Sequence, residues 1–284
     1  MIREICPGKR NKWLSKDWEY MAGAEQKEKI LRYYRNTEGE EVTVRLVDMA
    51  EQVQRSQKFR LGEFLDPYGQ EIAETIAANY PGLRLDMDGG YQGAERQRAM
   101  FVDQDFGGSP SFELAYIRIE WNGQFEHIGH RDVLGAIMSL GFERNRLGDI
   151  IMGNAQAGVV TDKKLADYLL TNLTQIGHSG VKCQLADLST IPPKEEKYKE
   201  LRATVASLRV DSIAAAGYGV SRSRAAADIA ADKLKLNWQP VKNSSQNVKE
   251  GDTLSLRGRG RLEVAEVRGQ TKKGRIGVLL KRYY

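Results

Sequence analysis

Cysteine is scarce: the 284 residues hold 2, Cys6 and Cys183, with no CxxC pair and no histidine beside either. Two thiols so far apart exclude a disulfide framework, and the missing cluster of sulfur and imidazole ligands argues against a structural zinc site. Histidine is nearly as scarce, with 3 residues. His127 and His130 are three positions apart without a third ligand at a useful spacing, and His178 stands alone in GHSG, so no metal is expected. No run of about 18 apolar residues occurs, which excludes an encoded membrane span. The start, MIREICPGKRNKW, lacks the apolar core of a signal peptide, so the expected location is cytoplasmic. P-loop, GxSxG and HExxH motifs are absent, as is GxGxxG followed by an acidic residue. No cofactor and no catalytic residue are expected.

What is present is an ordinary globular composition, 41% hydrophobic, with room for two or three domains. The net charge of +5 is unevenly spread. Residues 201–284 carry 17 Lys+Arg against 7 Asp+Glu, whereas residues 1–200 carry 26 against 31. Such a split points to a nucleic-acid or anionic-surface module joined to a more neutral body.

Apolar spacing predicts helices over Glu25–Tyr34, Val42–Gln54 and Gln70–Asn79, giving a helical N-terminal domain over residues 1–82. From Leu83 the pattern changes: LRLDMD alternates as a strand, AERQRAMFV reads as a helix, and FELAYIRIEW as a strand. HRDVLGAIMSLGF is a helix, DIIM and GVVT are strands, KKLADYLLTNLTQIG is a helix and VKCQLAD is a strand. This order predicts an α+β domain over residues 83–190 with a mainly antiparallel, helix-backed sheet. IPPKEEKYKE (191–200) reads as a linker. Residues 201–284 form a third domain, with helices over Thr204–Ala216 and Ser221–Lys233 and strands in LKLNW, TLSLR, RLEVAEV and RIGVLL.

The chemistry concentrates in that last domain. Ser221 is placed to cap a helix, accepting from the backbone N–H of Ser223 or Arg224. Arg222 and Arg224 follow in the first turn, where cations oppose the helix dipole and a bound phosphate would reverse the sign. An i,i+4 pair with Asp228 is the competing role for Arg224. Arg209, Lys233 and Lys235 could extend the basic surface. Arg257, Arg259 and Arg261 alternate with glycine in RGRGR, and Lys272, Lys273 and Arg275 form a basic turn. Together these residues predict RNA binding whose affinity falls with salt.

The stretch SLRVDSIAAAGYGVSRSRAAADIAADKLKLNW followed by VKEGDTLSLRGRGRLEV resembles the S4 RNA-binding domain, with its SR-x-x-A helix start, a strand ending in Asn237 and a GD turn before RGxGR. GHRDVLGAIMSLGFERNRLGDIIM, ADYLLTNLTQIG and TKKGRIGVLL extend the likeness to the YlmH family of bacterial S4-domain proteins, over about residues 60–284. Arg224 and Leu236 stand where that family would lead one to expect lysine and valine. The resemblance implies a helical N-terminal domain, a ferredoxin-like or RRM-like central domain and a C-terminal S4 domain of the αL type. It adds Asn237 to the RNA-binding set. It further implies rRNA and tRNA as partners on the large ribosomal subunit and a role in rescue of obstructed nascent chains; a monomer is expected.

In the central domain, His130 and Arg131 at a helix start, with Arg144 and Arg146 after its end, are candidates for a second RNA or ribosome contact. The alternative is that Asp132 caps the helix and Arg131 or Arg146 pairs with Asp149. Phe112, Tyr116 and Trp121 read as core aromatics ahead of base-stacking platforms. Two other functions compete. GLRLDMDGG is faintly similar to a pseudouridine-synthase loop and would make Asp86 catalytic, and a division-linked scaffold would bind RNA only incidentally.

Overall fold

A computed structural model describes residues 25–122, 128–192, 197–271 and 274–283. The chain is an α+β protein of two compact units that divide at residues 192/193.

The first unit opens with helix α1 (25–34) and helix α2 (Glu40–Ser56), which buries Leu46, Val47, Ala50 and Val53 at helical spacing. Strand β1 (Phe59–Leu65) follows. Helix α3 (Pro67–Asn79) starts on a proline at its first position and an aspartate cap, Asp66 accepting from the Gly69 N–H at 2.9 Å. Strands β2 (Leu83–Asp88) and β3 (Gln97–Asp103) complete an antiparallel sheet of order β1-β3-β2.

This sheet corrects two sequence expectations. AERQRAMFV supplies the central strand β3, not a helix, and the sheet runs across residue 82, so the N-terminal domain is not purely helical and does not end there. The misreading has a physical cause. Ala99, Met100, Phe101 and Val102 are all buried, because a middle strand covered on both faces shows an unbroken apolar run that lacks the period-2 signature.

The rest of the first unit comprises β4 (Leu114–Trp121), α4 (His130–Ser139), β5 (Leu147–Met152), β6 (Gln156–Asp162), α5 (Lys163–Asn172), the short β7 (Gln175–Ile176) and β8 (Ser179–Ala186). Its antiparallel sheet has the order β5-β6-β4-β8-β7. With β7 set aside, the β-α-β-β-α-β succession and this strand order are those of a ferredoxin-like domain. One sheet face sends Ile117 and Ile119 against Val133 and Ile137 of α4 and Leu165 and Leu169 of α5. The other packs Tyr116 and Val160 against Phe64 of β1 and Ile191. Tyr116 is therefore a core residue and not an open stacking platform.

A polar junction ties this domain to the N-terminal sheet. Asp149 accepts from the Tyr91 hydroxyl and the Glu95 N–H, both at 2.7 Å, and from the Arg96 N–H at 3.1 Å. The Arg96 guanidinium donates to the Phe64 and Leu147 carbonyls. Asp149 thus takes these partners, and the expected pairing of Arg131 or Arg146 with it is replaced.

The second unit runs β9 (Tyr198–Val205), α6 (Val210–Tyr218), α7 (Arg222–Ala230), β10 (Leu234–Leu236), β11 (Gln239–Pro240), β12 (Thr253–Leu256), β13 (Gly260–Gln270) and β14 (Ile276–Tyr283). The sheet order is β11-β10-β12-β13-β14-β9. Strand β9 begins inside the segment read as linker and continues to Val205, so the helix expected from Thr204 starts only at Val210. The two helices cover one sheet face, with Ile213, Tyr218, Ala225 and Ile229 packed on Leu234, Leu254, Leu262 and Leu280. Helix α6 approaches β13 closely enough that a Cβ on Gly217 would overlap the Leu262 side chain.

Candidate nucleic-acid interface

The predicted cap forms. Ser221 Oγ accepts from the Arg224 N–H at 3.1 Å and lies 3.0 Å from Ser223 Oγ, so the first turn of α7 begins on two hydroxyls. The helix has no acidic residue in its first turn. Arg222 and Arg224 therefore enter it with no negative charge alongside on the same turn, and their side chains are 49% and 61% exposed.

Their outer partners are two buried carboxylates. Asp211, in the first turn of α6, accepts from Arg222 Nε at 3.1 Å and from Arg209 Nη2 at 3.1 Å. Burial alone would raise the pKa of Asp211, but the hydrogen bonds from Arg209 and Arg222, reinforced by their charges, leave it below the usual carboxylate value. Asp228 accepts from Arg224 Nε at 3.2 Å and lies 3.7 Å from Lys233 Nζ. The surface pair considered for Arg224 in the sequence is thus present.

The RGRGR segment adjoins this cluster through the backbone: the Arg257 N–H donates to the Lys233 carbonyl at 2.9 Å. Arg257 is exposed on the turn between β12 and β13. Arg259 donates to the Tyr218 carbonyl at the last turn of α6, where a cation suits the helix C-terminus.

Other expected residues lie elsewhere in the unit. Lys235 alternates with the core residues Leu234 and Leu236, so it faces away from the helices. Arg261 shares that outer face, stacked 4.2 Å over the Tyr283 ring. Asn237 serves the backbone. With Trp238 it occupies the left-handed region (φ 47° and 61°) of a two-residue hairpin between β10 and β11, the conformation in which asparagine is favoured. Its amide bridges Asp252 Oδ1 at 2.9 Å and the Thr253 N–H at 2.8 Å. Lys272 and Lys273 lie outside the described residues.

The second candidate set, in the ferredoxin-like domain, is divided: Arg144 and Arg146 are half-buried and turned to internal partners, while His130 and Arg131 are exposed. Asp132 reaches back to the Gly129 N–H at 2.8 Å, capping α4 as one sequence alternative held. Arg146 makes a bidentate pair with Asp162, at 2.6 and 2.7 Å, while Asp162 also caps α5. Arg144 donates to the carbonyls of Leu147 and Gly148, and burial together with the charge of Arg96 lowers its pKa to about 10, leaving it a cation at neutral pH. Partial burial and then the charge of Arg144 lower the pKa of His130, so its imidazole is neutral at pH 7 and offers no positive charge to a phosphate. Arg131 is exposed on the first turn of α4.

Asp86 sits on β2 in a bidentate pair with Arg84, at 2.9–3.1 Å. Among the described residues no group of three or more His, Cys, Asp or Glu is placed to hold a metal, and no helix is long and apolar enough to cross a membrane. Burial pushes the Cys183 thiol up to about 11, which leaves it protonated at pH 7.

Two domain models match: the S4 domain over residues 208–254, and the "Putative RNA-binding domain in YlmH" over residues 109–190. The "Ribosome-associated protein quality control protein P2" of Bacillus subtilis (strain 168) is 33% identical over 233 residues, covering 81% of this chain and 90% of that protein. The chain belongs to the YlmH family. A solved structure, the "Cell division protein ylmH from Streptococcus pneumoniae", is similar at 22% identity and a TM-score of 0.47, over 55% of this chain and 95% of that one; at that level it adds nothing to the assignment.

Within the family frame, the S4 match takes in Arg209, Asp211, the whole of α7, Lys233, Lys235 and Asn237, and ends before Arg257, Arg259 and Arg261. The RNA-binding-domain match coincides with the ferredoxin-like domain and contains His130, Arg131, Arg144 and Arg146. Of the two carboxylates in the S4 cluster, sequence reasoning named Asp228 and passed over Asp211. Asp211 had a signal, an acid two residues after an arginine at a helix start, but only the fold brings Arg222 to it.

Proposed function

We propose that this protein is a non-catalytic RNA-binding protein of the ribosome, acting on large-subunit rRNA and tRNA in the rescue of obstructed nascent chains. The S4 unit grips a phosphate backbone with the capped start of α7, Arg209 and the Lys233–Arg257 edge. The ferredoxin-like domain adds a second contact through the first turn of α4, centred on Arg131. The observation that carries this reading is the pair Arg222 and Arg224, half exposed or more on a hydroxyl-capped helix start. Exposed N–H groups, the positive end of the helix dipole and two guanidiniums then face the same region, a combination suited to phosphate oxygens. The relative in Bacillus subtilis, whose name places it on the ribosome in quality control, supports the cellular setting. The ribosome-associated relative supports a cytoplasmic site of action, where the chain is taken to act as a monomer.

The test is cosedimentation with purified ribosomes at moderate salt. Arg222→Ala combined with Arg224→Ala should remove most of the bound protein while the variant stays folded, its melting temperature lowered only modestly because Asp211 keeps Arg209 and Asp228 keeps Lys233. Undiminished cosedimentation of that variant would defeat the phosphate grip. Mass spectrometry of rRNA and tRNA from a deletion strain addresses catalysis: a missing modification that wild type restores and Asp86→Ala does not would replace this function with an enzymatic one.

A further inference from the structure

Asp211 and Asp228 stand amid the arginines, and on charge alone they oppose RNA binding. Both are buried, with side chains 5% and 8% exposed, so neither carboxylate presents itself to a phosphate. Neither is used as a helix cap, since α6 begins on Arg209 and α7 on Ser221. Each instead holds two cations of the candidate interface. Asp211 holds Arg209 and Arg222; Asp228 holds Arg224 and lies beside Lys233.

We propose that Asp211 and Asp228 are positioning residues that set Arg209, Arg222, Arg224 and Lys233 in a phosphate-ready array, an inference that rests on the RNA-binding role given above. Three observations lead there. First, the described bonds from Arg222 and Arg224 leave from Nε, which fixes the guanidinium plane while roughly half of each side chain remains in solvent. An arginine held by one edge can still offer its terminal nitrogens to a phosphate, and the rotamers it would have to give up on binding are already restricted. Second, the carboxylates come from different helices. Asp211 on α6 reaches across to Arg222 on α7, so the spacing of the array is set by the packing of the two helices. Third, four cations confined to two short helices and the following strand edge repel one another, and a buried carboxylate between each pair offsets that repulsion without competing for the ligand.

The sign of the prediction separates this from simple electrostatics. Asp211→Asn and Asp228→Asn each remove a negative charge, so the general field predicts tighter RNA binding. Positioning predicts binding about three- to tenfold weaker, the effect of having to order a freed side chain on each binding event. The experiment is filter binding of the full chain to purified large-subunit rRNA, with melting curves for every variant. A role in positioning also predicts non-additivity: in an Arg224→Ala background, Asp228→Asn should cost little further affinity. The proposal is overturned if the folded Asn variants bind as tightly as wild type or more so. It is equally overturned if Asp228→Asn loses as much affinity with Arg224 absent as with it present, or if both variants fail to fold, which would assign the carboxylates to stability. Wild-type binding by the Arg222→Ala, Arg224→Ala protein would instead remove the phosphate grip itself, and that result is read independently of the Asn variants.

Discussion

The S4 unit and the ferredoxin-like domain both place arginines beside a helix end, and they hold them in opposite ways. In the S4 unit Arg222 and Arg224 lean on buried carboxylates by one edge and keep half or more of their side chains in solvent. In the ferredoxin-like domain Arg146 gives both Nε and Nη2 to Asp162, and Arg144 is bound to two backbone carbonyls. On the proposed reading, the arginines most open to a phosphate are Arg222 and Arg224, held through Nε and half in solvent, whereas Arg209, bidentate on Asp211 through Nε and Nη2, is held as Arg146 is on Asp162.

Substitutions can break or sharpen that contrast. The largest effect on stability is expected for Arg146→Ala, which strands the buried Asp162. It should destabilise the first unit by about 2–3 kcal/mol, less than for a fully enclosed pair because Arg146 keeps part of its side chain in water. A denaturant titration would show it, and an unchanged midpoint would erase the distinction. Gly217→Ala, which forces a methyl group into Leu262, should destabilise the S4 scaffold by about 1–2 kcal/mol and weaken RNA binding only in proportion to unfolding. Ser221→Ala should lose about 1 kcal/mol as a cap is removed, with RNA affinity falling too if the same turn meets phosphate.

The pH response should also differ between the two regions. The folded-state pKa values of His130 and Asp211 are both depressed. Each therefore contributes stability that is present above its unfolded pKa and lost as pH falls through the folded one. For His130 the loss begins below about pH 6.5, and for Asp211 only below about pH 4. Hydrogen exchange of α4 and α6 should follow that order on acidification, and Asp211→Asn should flatten the lower limb alone. The smallest effect is expected for Arg131→Ala. Its exposed position predicts a stability change within about 0.5 kcal/mol, so any loss of ribosome binding would mark the ferredoxin-like domain as a second contact.

Much of this was legible in the sequence where a local signal exists. The Ser221 cap, the Asp132 cap, the helix periods and the β-α-β-β-α-β order from Leu114 all follow from short-range pattern. Strand β3 was not, since AMFV in a strand buried on both faces looks the same as a helical apolar run. Of the candidate site, the cations were visible as charges, but their sorting was not. Arg144 follows the end of α4 and Arg222 opens α7, yet the sequence offers both simply as charges near a helix; only tertiary structure puts carbonyls around one and an edge-on carboxylate beside the other. Asn237 was visible as a family position and proves to serve a left-handed hairpin.

The salt dependence of binding to large-subunit rRNA tests the central claim most directly. If Arg222 and Arg224 each neutralise a phosphate, replacing both with alanine should weaken binding and reduce the slope of log affinity against log salt by about 2, one counterion per contact. An unchanged slope and affinity in the folded variant would place the phosphate contacts elsewhere and contradict the account.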